Sequence, residues 1–125
     1  MPFDKNKAAQ TATAGALPPF GIGKCAEYVR QALEAGGLNT AGHPSPAKDW
    51  GPTLIRIGFQ AIADTSNNPQ IGDVIVIQAI KGHPSGHMEL YDGKNWVSDF
   101  IQDNMWPARA YQAEKAKYQV YRYKF

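Results

Sequence analysis

Gly21-Ile22-Gly23-Lys24-Cys25-Ala26-Glu27-Tyr28-Val29-Arg30-Gln31-Ala32-Leu33-Glu34-Ala35-Gly36-Gly37 reads as an amphipathic helix with a reactive side chain in its first turn. Ile22, Ala26, Val29 and Leu33 recur at steps of three and four, which puts them on one face. Gly36-Gly37 supplies a left-handed stop, and Gly21 and Gly23 let the chain turn sharply before the helix starts. Cys25 stands at the positive end of the helix macrodipole, among backbone N–H groups that favour a thiolate. The same position also allows it to pack as a small hydrophobe beside Val29.

Residues 1 to 20 show neither helical nor strand periodicity and end in Leu17-Pro18-Pro19-Phe20. They read as an irregular N-terminal arm ahead of a single domain over residues 21–125. Beyond the first helix, Ser45-Pro46 looks like an N-cap followed by proline at the first helical position, so a second helix is expected from about Pro46 to Ile57. Gly51-Pro52 must interrupt it and Gly58 end it. Phe59 to Ala63 is a short strand or more helix. After the turn cluster Asp64-Thr65-Ser66-Asn67-Asn68-Pro69 the pattern changes to strands: Asp73 to Gln78, His87 to Tyr91, Trp96 to Ile101 and Tyr118 to Lys124. Helices first and strands second argue for an α+β fold, with N-terminal helices packed on a small antiparallel sheet, over alternating βαβ units.

Composition narrows the function. The 125 residues are 43% hydrophobic and 19% charged, which suits one globular core. With 12 glycines and 9 prolines the chain is too loop-rich for a helical bundle. The net charge is only +2 and no long run of one sign occurs, which weighs against nucleic acid as a partner. Lys115, Lys117, Arg122 and Lys124 make the C-terminal part basic, as a solvated face would be. The longest apolar stretches, such as Val74-Ile75-Val76-Ile77, fall far short of the about 20 residues a membrane helix needs, so no membrane insertion is expected. The Ala-Thr-rich N-terminus lacks the apolar core of a signal peptide. The chain is therefore expected to be made in the cytoplasm, and any action elsewhere requires a specialised export route. The lone cysteine forms no intrachain disulfide.

A thiol nucleophile needs a base, and histidine suits neutral pH. His43 and His83 each precede a proline in a loop, whereas His87 opens a strand after Gly86, a residue that permits close approach of another backbone or a ligand. Asp92-Gly93 marks a hairpin. A three-residue loop sets Tyr91 opposite Asn95 and His87 opposite Asp99; a two-residue loop sets His87 opposite Ser98. Asp99 is favoured, because an acceptor charge both orients the ring and stabilises its protonated form. The expected set is thus Cys25, His87 and Asp99, with no metal or cofactor. Two other readings remain open. His83 and His87, with Cys25 or Asp99, suggest a zinc hydrolase. Trp50, Tyr91, Trp96 and Trp106 suggest a non-catalytic module that binds cell-wall glycan or peptide.

Three segments in order resemble the compact papain-like hydrolases of bacterial cell walls, the NlpC/P60 and CHAP families. They are Gly23-Lys24-Cys25-Ala26-Glu27-Tyr28-Val29, Pro69-Gln70-Ile71-Gly72-Asp73-Val74-Ile75-Val76 and Ser85-Gly86-His87-Met88-Glu89-Leu90-Tyr91-Asp92-Gly93, and they span most of the chain. Asp49-Trp50-Gly51-Pro52 and Trp96-Val97-Ser98-Asp99-Phe100-Ile101-Gln102 also resemble the amidase effectors delivered by type VI secretion. The resemblance implies a papain-like fold and a cysteine amidase or endopeptidase that cleaves peptidoglycan stem peptides in the periplasm of rival cells, with a cognate immunity protein as partner. The chain departs from papain itself in having no glutamine a few residues before Cys25 to act as oxyanion donor. Pro19, which stands there instead, has no N–H.

Overall fold

The four side chains of Val74-Ile75-Val76-Ile77 are all buried, so this strand needs cover on both faces. Alternate side chains point to opposite sides. Val74 and Val76 join Val29, Leu33, Met88 and Leu90 in one core, while Ile75 and Ile77 join Trp96, Met105, Tyr111 and Val120 in another. The computed structural model describes residues 3–18, 21 and 23–125. Its elements are α1 (Lys5–Gly15), α2 (Cys25–Ala35), a 3₁₀ turn (Ala47–Asp49), α3 (Gly51–Arg56), β1 (Phe59–Ile62), β2 (Val74–Ile77), β3 (His87–Tyr91), β4 (Trp96–Val97), α4 (Arg109–Ala113) and β5 (Tyr118–Tyr123). The strands form one antiparallel sheet in the order β1-β5-β2-β3-β4, with the last strand inserted between β1 and β2. The fold is α+β, as expected from the element order.

α2 is the helix the periodicity predicts. It starts at Cys25, buries Val29, Ala32 and Leu33 against β3, and ends in the predicted glycine stop. Gly37 takes a φ of +99°, and the N–H of Leu38 donates to the carbonyl of Leu33, closing a Schellman motif. Burying Val29 and Leu33 stabilises the fold by about 1.5 to 3 kcal/mol each. Pro19, Phe20 and Ile22 lie outside the described residues.

Residues 1–20 correct the expectation of an irregular arm, because α1 occupies Lys5–Gly15. The Asp4 carboxylate caps it by accepting from the Lys7 N–H at 3.0 Å. Its buried stripe consists of Ala8, Ala9 and Ala12, small residues that carry little hydrophobic contrast yet favour helix and allow close packing on α2. Phe3 anchors the start of this segment among Phe59 and Tyr123, with ring centroids 5.6 and 5.2 Å away.

The second expected helix is split at Trp50 into the 3₁₀ turn and α3, with Pro52 in the first turn of α3, where its missing N–H has no intrahelical partner to lose. The expected strand from Trp96 to Ile101 is corrected to two residues, after which the chain reverses. Ser98 donates its N–H to the Phe100 carbonyl, and Gln102 donates its N–H to the Trp96 carbonyl. α4 has no counterpart among the expected elements. The basic C-terminal part is only partly a solvated face: Arg122 makes a bidentate pair with the fully buried Asp73 at 2.8 and 2.9 Å.

Candidate active site

Cys25 is the first residue of α2 and His87 the first residue of β3, and the structure brings the two to one cleft, near enough for the thiol to raise the imidazole's pKa. Gly86 makes the meeting possible. Its φ is +68°, and a Cβ there would lie 2.3 Å from the carbonyl oxygen of Ile77, so β3 enters against β2 only through glycine. The pair opens into a cleft of about 640 Å³, lined among others by Lys24, His83, Asp99 and Tyr111. Cys25 is half-buried and His87 is 6% exposed.

The hairpin register differs from both sequence readings. Tyr91 pairs with Trp96 and Leu90 with Val97, so the loop has four residues, Asp92 to Asn95. The Asp92 carboxylate accepts from the N–H groups of Lys94 and Asn95 at 2.8 and 2.6 Å and so stabilises the longer turn. This register, with the short β4, corrects the two hairpin registers that set Asp99 or Ser98 opposite His87. Asp99 sits 2% exposed at the chain reversal after β4, and its Oδ2 accepts from the N–H of Lys24 at 3.0 Å. The Leu17 N–H donates to its backbone carbonyl at 2.8 Å. A Cβ on Gly21, whose φ is +55°, would lie 2.5 Å from the same carboxylate. Asp99 therefore holds the residues that lead into Cys25.

The imidazole is held by two residues the sequence reading did not assign. His87 Nε2 lies 2.8 Å from Gln102 Oε1 and 3.4 Å from Glu89 Oε1. The amide Nε2 of Gln102 donates to Glu89 Oε1 and to the Asn104 carbonyl, each at 3.0 Å. Because a carbonyl only accepts, the amide nitrogen must face Asn104 and Oε1 must face the ring. His87 Nε2 then carries a hydrogen, and Nδ1 is left for the thiol of Cys25. Glu89 shares the face of β3 with His87 because the two are two residues apart. It is fully buried, and its Oε2 has no hydrogen-bond partner.

Burial alone lowers the His87 pKa, but the Cys25 thiol and the Glu89 carboxyl outweigh it and push the value from 6.5 up to about 10. Burial pushes the Glu89 carboxyl above its usual range, against the pull of His87 and Gln102. The group as a whole favours a protonated ring beside an ionisable sulfur. A thiol beside an imidazole can act chemically as a nucleophile with a proton carrier.

The remaining candidates have other neighbours. The His83 ring packs on Tyr111 with centroids 5.0 Å apart, and among the described residues no group of three or more His, Cys, Asp or Glu is placed to hold a metal ion. Trp50 and Trp96 are core residues, 1% and 4% exposed, and Tyr91 packs on Trp96 at 5.2 Å. Among the described residues no helix is long and apolar enough to cross a membrane.

No protein-family model and no curated protein matches the chain. Solved structures do. The native type VI effector-immunity complex Tae3-Tai3 from Ralstonia pickettii contains a chain 43% identical, matched over 98% of this chain and 100% of that one with a TM-score of 0.90. The selenomethionine form of that complex gives 44% identity over 93% of this chain and 99% of that one, with a TM-score of 0.83.

Proposed function

Since this chain belongs to the family of the type VI effector Tae3, we propose that it is an antibacterial cysteine hydrolase that cleaves amide bonds in peptidoglycan stem peptides. The observation that carries this reading is the meeting of Cys25 and His87, electrostatically coupled, in one open cleft.

In the proposed reaction, Cys25 passes its proton to His87 Nδ1 and Sγ attacks the amide carbon, so an S–C bond forms and the carbonyl electron pair moves onto oxygen. The backbone N–H of Cys25, which has no intrahelical acceptor at the first position of α2, is a donor to that oxygen. When the C–N bond breaks, the leaving amine takes the proton from His87. Water then attacks the thioester, gives a proton to His87, and releases the acid with the thiol restored. Gln102 fixes the ring's tautomer, Glu89 stabilises its charge, and Asp99 holds the residues before Cys25. No cofactor takes part in this scheme.

Both matched structures are effector-immunity complexes, which supports an immunity protein as the partner that restrains this chain in the producing cell. The same family supports export by type VI secretion, with the periplasm of a target cell as the proposed site of action. Purified peptidoglycan incubated with the protein is expected to release new amino termini, with none released by Cys25→Ala. Full activity of Cys25→Ala, lost on adding a chelator, sinks the thiol mechanism.

A further inference from the structure

The Cys25 N–H is one oxyanion donor, and such sites commonly use two. The ten residues before Cys25 contain no side-chain amide to serve as the second. Resting on the cysteine hydrolase reading, we infer that the Tyr111 hydroxyl is that second donor, brought to the cleft by α4.

Tyr111 lines the cleft together with Cys25 and His87. Its ring is fixed: it is 3% exposed, packs in the core with Ile75, Ile77 and Trp96, and lies with its centroid 5.0 Å from that of His83 and 6.2 Å from that of His87. A buried tyrosine hydroxyl normally finds a partner. Among the described residues, this one makes no hydrogen bond, and it is not among the fully buried polar atoms left without one, so it meets the cleft. Burial first, and then the charge of Cys25, push its pKa up to about 12. The hydroxyl thus feels charge at the sulfur and keeps its proton throughout the working range of the enzyme.

An unmet donor on a rigid ring, electrostatically linked to the nucleophile, suits charge that appears only during the reaction. As Sγ bonds to the carbonyl carbon and the π pair moves to oxygen, the phenol donates a hydrogen bond and retains its proton. When the C–N bond breaks, the pair returns to the carbonyl and the hydrogen bond weakens. His87 alone carries the transferred proton.

Tyr111→Phe removes one oxygen that has no partner in the resting protein, so the packing is retained. With soluble fragments of purified peptidoglycan as substrate, kcat is expected to fall about 100-fold with KM within about twofold of the parent. The pH dependence of Cys25 alkylation is expected to superimpose on that of the parent, because the hydroxyl acts on the substrate oxygen and leaves the thiol-imidazole pair alone. A fall in kcat of less than about tenfold overturns the inference, as does a loss confined to KM. A loss matched by a displaced alkylation profile also overturns it, since Tyr111 then acts through His87. Cys25→Ala in the same assay separates the two levels of the account: if it is inactive while Tyr111→Phe is unimpaired, only the tyrosine inference fails, and if it is active, both fail.

Discussion

Replacing Glu89 by glutamine probes the charge that keeps His87 protonated. The ring is pushed from 6.5 up to about 10, with Cys25 and Glu89 acting against burial. Glu89 Oε1 stands 3.4 Å from His87 Nε2. Opposite unit charges at that separation attract by about 5 kcal/mol at an effective dielectric constant near 20, equivalent to about 3.6 pKa units. The net contribution is smaller, because burial works against the charged form of Glu89 and Cys25 supplies a share of the rise. Glu89→Gln is therefore expected to lower the His87 pKa by about one to two units. The variant keeps its shape: the retained oxygen still accepts from Gln102, and the new amide nitrogen takes the place of Oε2, which has no partner to lose. A raised pKa keeps the ring charged further into alkali, so activity that depends on imidazolium fails as pH climbs past the folded value. Profiles of kcat/KM from about pH 5 to about 11 place the parent's alkaline limb near 10 and that of the variant about one to two units lower. An alkaline limb left in place in a folded Glu89→Gln protein refutes the argument that Glu89 sustains the charge on His87.

Asp99→Ala removes the acceptor for the Lys24 N–H and loosens the approach to Cys25. It is expected to cut kcat/KM about tenfold while leaving the alkaline limb of the pH profile unmoved, the opposite of Glu89→Gln. Leu33→Ala, at a position that is 0% exposed, is expected to cost about 2 to 5 kcal/mol, read from urea denaturation. Because the folded His87 pKa is raised, its stabilising contribution is complete below the unfolded value of 6.5 and is lost as pH rises towards about 10, so denaturation midpoints of the parent should fall across that window.

The meeting of Cys25 and His87 at one cleft was legible because both residues carry strong local signals. Cys25 follows a glycine-rich entry into a periodic helix, and His87 follows a glycine that starts a strand. The hairpin register behind Asp99 was misread because it depended on a single residue, and the Asp92 side chain stabilises a four-residue loop that the dipeptide Asp92-Gly93 does not announce. Glu89 did leave a trace: a carboxylate two residues along the strand from His87 shares its face. Gln102 reaches the ring only through the reversal after β4, a tertiary event without local pattern. α1 escaped notice because its buried stripe is alanine, and Tyr111 because the five residues of α4 are too few for periodicity to register.

Acid quenching of the protein during turnover of peptidoglycan fragments, followed by mass spectrometry, reads the nucleophile itself. The proposed mechanism predicts a covalent acyl adduct on the peptide that contains Cys25, absent from Cys25→Ala and from a folded His87→Ala protein, which lacks the proton carrier that acylation needs. Turnover with Cys25 unmodified throughout, or an adduct on another side chain, contradicts it.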